Sequence, residues 1–187
     1  MLRQLVLKNR SYRRFDQSKS ISKQTLRDLV DYARLSPSAA NLQNLRFWLV
    51  DHPHDRLFDS LRWANYLKNW DGPIEGERPA GYIILLAPPS CTKFHYIDAG
   101  IACQSMLLGA TEIGIGGCMI ASVDREAVQK IFEIPQEWEI LLVIALGVPA
   151  ETVVVDEIGS EENIEYWRDE KDRHHVPKRS LDTLILS

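Results

Sequence analysis

"YIDAGIACQSMLLGATEIG", residues 96–114, is the stretch on which the fold turns. Small and apolar side chains cover almost every side of a segment whose length and freedom from proline predict a helix, and a helix apolar all round must be covered all round. Two continuous apolar runs flank it in the sequence, "YIILLAP" (82–88) and "EWEILLVIALGVP" (137–149). Runs of that length, rich in Ile, Leu and Val, predict strands buried on both faces. One sheet and its flanking helices can scarcely enclose such a helix in a chain of 187 residues. Part of its surface is therefore expected to be covered by a second copy of the chain, in a homodimer.

Upstream, Leu26, Leu29, Val30 and Ala33 share one face of a helix expected over 23–35, with Ser22 as its N-cap and Pro37 marking its end. "SPSAANLQN" (36–44) follows as a small, polar loop and "LRFWLVD" (45–51) as a strand. A short helix is expected over 55–61, and residues 63–81, which gather Gly, Pro and charge around Trp63, Tyr66 and Trp70, read as a surface excursion. Beyond the long helix, "GIGGCMIAS" (114–122) leads into a strand and "VDREAVQKIF" (123–132) forms an amphipathic helix. From Glu151 the composition turns to charge, predicting an extended arm over 151–187 that re-docks at its apolar end. Helices and strands alternate, so a layered α/β or α+β domain is expected, and the length fits a single domain over 1–187.

With 26 carboxylates against 22 Lys and Arg, the chain has no global basic field to hold nucleic acid or an anionic membrane, so any anion must be bound locally. Cys91, Cys103 and Cys118 are odd in number, lack the spacing of zinc or redox motifs and sit among apolar residues, which fits small core residues in a reducing compartment. The opening "MLRQLVLKNR" is broken by Arg3 and Lys8 and is too short for a signal peptide or a membrane span. A cytoplasmic location is expected.

Three clusters carry possible chemistry. Arg10, Ser11, Arg13 and Arg14 near one end and Lys178 with Arg179 near the other supply the guanidinium and hydroxyl donors that suit a phosphate; solvated basic patches paired with carboxylates are the alternative, which composition alone favours. Asn41 and Gln43 stand two apart, so in extended chain their amides face the same way and suit the edge of a planar heterocycle; an ordinary loop is the alternative. The glycines of "GIGGCMIAS" let a flat ligand approach the main chain, or serve a tight turn. His174 and His175 adjoin in the charged tail and read as solvated polar residues, and His52 and His54 as loop residues; no metal is expected at either pair.

In this order, these blocks resemble the nitroreductase family, the dimeric FMN-dependent NAD(P)H oxidoreductases. "RSYRRF" (10–15) looks like its R-S-x-R-x-F signature, and "SPSAANLQN" like its P-S-x-x-N-x-Q loop. "GIGGCMIASVDREAVQKIFEIP" (114–135), "LLVIALGVPAE" (141–151) and "VPKRSL" (176–181) are similar to its later blocks. The resemblance implies an α+β three-layer fold, a mixed and mostly antiparallel sheet flanked by helices, in a homodimer whose interface holds FMN.

The resemblance also implies roles. Arg10, Ser11, Lys178 and Arg179 would hold the FMN phosphate and ribityl end, Arg13 would reach the pyrimidine side of the ring, and Asn41, with Gln43, would bond its edge. Met119 and the main chain of Ile120, Ala121 and Ser122 would face N5, the flavin atom that carries the chemistry in place of a catalytic side chain. Trp63, Tyr66 and Trp70 would select substrate, unless they simply pack under their loop. NADH or NADPH would donate hydride and a nitroaromatic, quinone or related acceptor would take the electrons in ping-pong fashion. Dehalogenation, flavin fragmentation and flavin sensing without turnover are the alternatives within the fold. The chain departs from the family pattern at Asn9, where a second arginine is frequent, and at Asn44 and Leu45, where Pro-Trp is frequent.

Overall fold

The computed structural model describes residues 2–90 and 92–186, so Cys91 lies outside the described residues. The chain forms an α+β fold built on a four-stranded antiparallel sheet. Its strands are β1 (Arg46–Val50), β2 (Gly81–Ala87), β3 (Gly116–Ile120) and β4 (Glu139–Gly147), in the order β1-β2-β4-β3. All seven residues of β2 are buried. The reason is the two-residue period of a strand. Ile83, Leu85 and Ala87 enter one core with Leu26, Leu29 and the helix over the first face, while Tyr82, Ile84 and Leu86 enter a second core on the other. The run is continuously apolar because both faces are covered.

The first face is covered by α2 (Lys23–Leu35) and α4 (Lys93–Glu112), the second by α3 (Asp55–Asp59) and α5 (Arg125–Ile131). The Ser22 hydroxyl caps α2 by accepting from Thr25 N–H. Small residues on α4 let the two helices approach closely: a side chain at Gly109 would lie 2.5 Å from the Tyr32 ring of α2. The long helix starts at Lys93 rather than near Tyr96, because Thr92 and His95 form a capping box in which the imidazole takes the part of the usual Glu or Gln. Its inner face is buried, whereas Phe94, Tyr96 and Ile97 in its first turns are more than half exposed.

At the ends of the chain one element was not expected, and the reading of the arm is corrected. The opening residues form a helix, α1 (Leu2–Lys8), which packs on α4. The arm is not simply extended: it folds into a second sheet of β5 (Val153–Ile158), β6 (Trp167–Arg168) and β7 (His174–Arg179), with β7 between a parallel β5 and an antiparallel β6. Nor does its end re-dock on this chain. Leu181 and Leu184 of α6 (Leu181–Leu184), with Ile185 and Leu186, are exposed. Among the described residues, no helix is long and apolar enough to cross a membrane.

Candidate functional site

The segment after α1 docks along β3. Ser11 forms a parallel bridge with Gly117, and Tyr12 N–H donates to the Gly117 carbonyl at 3.1 Å. Gly116 and Gly117 permit this. A Cβ at Gly116 would lie 2.5 Å from the Tyr12 ring, and one at Gly117 2.6 Å from Leu107 and 2.9 Å from the Ala145 carbonyl. These glycines admit neighbouring protein more than a flat ligand; only Gly114, at φ +78°, serves a turn. The unsatisfied carbonyls at the end of α1 take donors from the same segment, Val6 from Arg10 and Lys8 from the Tyr12 hydroxyl.

The docking creates a cavity of about 340 Å³ whose lining includes Arg10, Ser11, Arg13, Gln104, Tyr166 and Lys178. Its lining has three cationic side chains and no carboxylate, in a chain where carboxylates outnumber Lys and Arg. Asn9 lines it too, so the position where the family often has arginine still faces the site. A second cavity of about 350 Å³ shares Arg13, Met119 and Tyr166 with the first, and is otherwise lined by Arg62, Trp63, Asn65 and the stretch Cys118 to Ser122. Ile120, Ala121 and Ser122 thus meet Met119 and Arg13 at one cleft.

Arg13 is the hinge of the two cavities. Its guanidinium lies over the Tyr166 ring at 4.7 Å, donates to the Ser11 carbonyl at 3.3 Å and sits 3.1 Å from His174 Nε2. Its backbone N–H and that of Arg14 both donate to Glu151, whose carboxylate is 1 % exposed and pairs with Arg168 at 2.6 Å. Arg14 turns away to Glu77 and Asp172, a carboxylate contact rather than a ligand contact.

His174 and His175 are not solvated. Both are buried, because β7 runs between its two partner strands. His175 is wedged between Asp156 at 2.8 Å and Asp169 at 3.4 Å under a stacked Trp167. His174 is held neutral, its pKa lowered from 6.5 to about 4 by burial and by the Arg13 charge; Arg168 and His175 act the same way and Glu151 opposes them. In the unfolded chain His174 takes up a proton below about pH 6.5, while the folded chain resists until about pH 4. Acidification through that window therefore favours unfolding. Urea melts between pH 7 and 4 are expected to lose stability with a slope that His174→Gln reduces; equal slopes would refute this.

The other sequence candidates divide between the cleft and its surroundings. Arg179 faces away from Lys178, as adjacent strand residues do, and donates to the Gly159 and Ser160 carbonyls. Trp63 lines the second cavity, Tyr66 packs on Tyr166 with ring centroids 4.9 Å apart, and Trp70 lies against Arg14 and Arg168. Asn41 and Gln43 are not in extended chain. A short 3-10 turn, Ala39–Asn41, puts Ala40, Asn41 and Gln43 at φ 48°, 54° and 52°, so the shared-face argument fails. Gln43 lines a third cavity, of about 300 Å³, with Ser38, Asn44 and Asp98; it shares no lining residue with the first two. Buried Asp98 accepts from Ala39 N–H at 2.9 Å and fixes this loop. His54 caps α3 through Leu57 N–H. Burial raises the thiol pKa of both Cys103 and Cys118, the former to about 12, which suits core residues and not nucleophiles.

A sequence model of the Nitroreductase family matches residues 6–148. The chain belongs to the nitroreductase family. Its fold is similar to that of a nitroreductase family protein from Clostridium novyi NT, at TM-score 0.64 and 23% identity over 80% of this chain and 86% of that one. It is also similar to a nitroreductase with bound FMN from Desulfitobacterium hafniense, at TM-score 0.63 and 20% identity over 80% and 89% of the two chains. An FMN-dependent nitroreductase from Clostridium difficile gives TM-score 0.62 and 23% identity over 79% and 87%. The arm of this nitroreductase-family chain lies beyond the matched residues, yet it supplies Tyr166, Val176 and Lys178 to the first cavity. Reading the sequence alone misses Tyr166, Glu151 and His174, which carry no local signature. Gln104 is different: a lone amide in the mostly small and apolar middle of the long helix was a usable signal.

Proposed function

We propose that this nitroreductase-family chain is an FMN-dependent oxidoreductase that takes hydride from NADH or NADPH and reduces nitroaromatic, quinone or related acceptors by a ping-pong mechanism. The observation that carries the reading is the cationic, carboxylate-free cavity that shares Arg13, Met119 and Tyr166 with a second cavity lined by Cys118 to Ser122. Each has the volume of a small-molecule site. Arg10, Ser11 and Lys178 would hold the phosphate by charge-assisted hydrogen bonds, with Arg179 bracing the β5–β6 turn beside them. Bound there, FMN would supply reversible two-electron chemistry that no side chain of this protein provides. Arg13 would set a fixed positive charge beside the ring, where it favours the reduced state electrostatically. Met119 and the main chain of Ile120, Ala121 and Ser122 would shape the reacting face, and Trp63 with Tyr66 the acceptor pocket. Trp70 would brace the arm.

Asn41 and Gln43 would act from the partner subunit. Their separation from Arg13 within one chain, and the exposed Phe94, Tyr96 and Ile97 on α4, support a homodimer with the site at its interface. The whole chain, 1–187, would then form one domain whose arm, 151–187, completes the site. Charge on that face is expected to abolish association: a Phe94→Glu, Ile97→Glu double variant should sediment as a monomer and lose FMN. A dimer that persists with full FMN content would sink the assignment of this interface.

Purified protein should be yellow, with a flavin band that bleaches on adding NADH or NADPH. Colourless protein that also ignores added FMN refutes the proposal. The packing of Tyr66 on Tyr166, one of the residues common to both cavities, supports a second reading in which flavin is held without turnover. Bound FMN that neither nicotinamide reduces would select it.

A further inference from the structure

We propose that His174 is a positioning residue for Arg13, a neutral imidazole whose Nε2 lone pair accepts from the guanidinium and fixes it at the junction of the two cavities. The residue lies outside the family match and has no exposed surface. Its backbone is locked by pairing with Val153 on one side and Arg168 on the other, and by its N–H, which donates to the Thr152 carbonyl at 2.8 Å. The ring packs beside Tyr166, centroids 5.2 Å apart, and Tyr166 in turn covers the guanidinium. Arg13 is thus held by the arm at both ends, by Glu151 at the main chain and by His174 and Tyr166 at the side chain.

The choice of partner matters. A guanidinium cannot donate to a nitrogen that already carries a proton, so Nε2 must be the unprotonated nitrogen and Nδ1 the protonated one. Nδ1 is buried and has no acceptor. Leaving such a donor unpaired is costly, and the Nε2 contact helps to offset that cost. Among the described residues, no carboxylate lies within ion-pair distance of the Arg13 guanidinium. A carboxylate in place of His174 would orient Arg13 but cancel the charge it presents to the cavity. A neutral imidazole, kept neutral by burial and by the Arg13 charge, orients without neutralising.

The consequence for the cofactor rests on the flavin reading; the pairing itself does not, and the test separates them. Without cofactor, the His174 ring signal in a proton NMR titration should move to higher pH in Arg13→Leu than in the unmodified chain. With FMN as the probe, His174→Phe, which keeps a ring but has no acceptor, should weaken binding about tenfold, the loss of one charge-assisted hydrogen bond, and lower the midpoint potential. His174→Gln, whose amide oxygen is a neutral acceptor, should recover most of both. An unmoved His174 titration overturns the pairing. Equal losses in the Phe and Gln variants, or none in either, overturn the positioning role. Should His174→Phe fail to fold, the Gln variant and the titration decide. If the unmodified chain binds no FMN, the flavin reading fails and the titration alone decides the pairing.

Discussion

Glu151→Ala is expected to destabilise the protein by about 3–5 kcal/mol, the usual result of removing one partner from a buried ion pair. In the folded chain the carboxylate is 1 % exposed, accepts from the N–H groups of Arg13 and Arg14, and pairs with Arg168. Truncation strands two backbone donors and leaves a guanidinium only 12 % exposed with the longer contact to Asp172, at 3.5 Å, as its remaining ion pair. In a domain of this size each kcal/mol moves the midpoint by about 2–4 °C, so thermal melts should fall by roughly 6–20 °C. Arg168→Met added to Glu151→Ala should recover part of the loss, because a largely buried charge left with only its longer contact to Asp172 goes with it. A single variant that melts within about 2 °C of the unmodified chain, less than 1 kcal/mol by the same scale, would show that the arm is not held this way.

Arg13→Ala is expected to leave the fold intact and to damage the site. Loss of a charge-assisted hydrogen bond worth about 1.5–3 kcal/mol corresponds to FMN binding weakened roughly 10–100-fold. The midpoint potential of bound flavin should fall, since the positive charge that favours the reduced form is gone. Arg13→Lys should not rescue either quantity fully. A lysine ammonium is a point charge without the planar fork that meets the Ser11 carbonyl, His174 and the Tyr166 face together. An unchanged potential in Arg13→Ala would remove Arg13 from the role proposed for it, whatever the change in affinity.

The layered fold was legible because it depends on patterns within short segments. "YIILLAP" and "EWEILLVIALGVP" had to be covered on both faces, and α2, with Ser22 at its cap, is where its periodicity placed it. Much of the first cavity was legible too: "RSYRRF" and "VPKR" lie far apart in the chain, and Arg10, Ser11, Arg13 and Lys178 meet at one cavity. The failures share a cause. The extended geometry assumed for Asn41 and Gln43 depends on backbone dihedrals that Asp98, more than fifty residues away, helps to set. The solvated reading of His174 and His175 failed because their burial comes from the pairing of β7 with β5 and β6 and from contacts with Asp156, Trp167 and Arg13, which exist only once the arm has folded and docked.

By itself, then, the sequence determined the elements between the two ends of the chain, the two-faced core and which cationic residues were candidates, because hydrophobic period and residue chemistry are local properties. Only the tertiary structure decided which of those cations share a cavity. It turned Arg14 and Arg179 outward and Arg13 and Lys178 inward, and put His174 and Tyr166 against Arg13. Strand alternation and the pairing of β7 with β5 and β6 choose each side chain's direction, and that register exists only once distant segments have met.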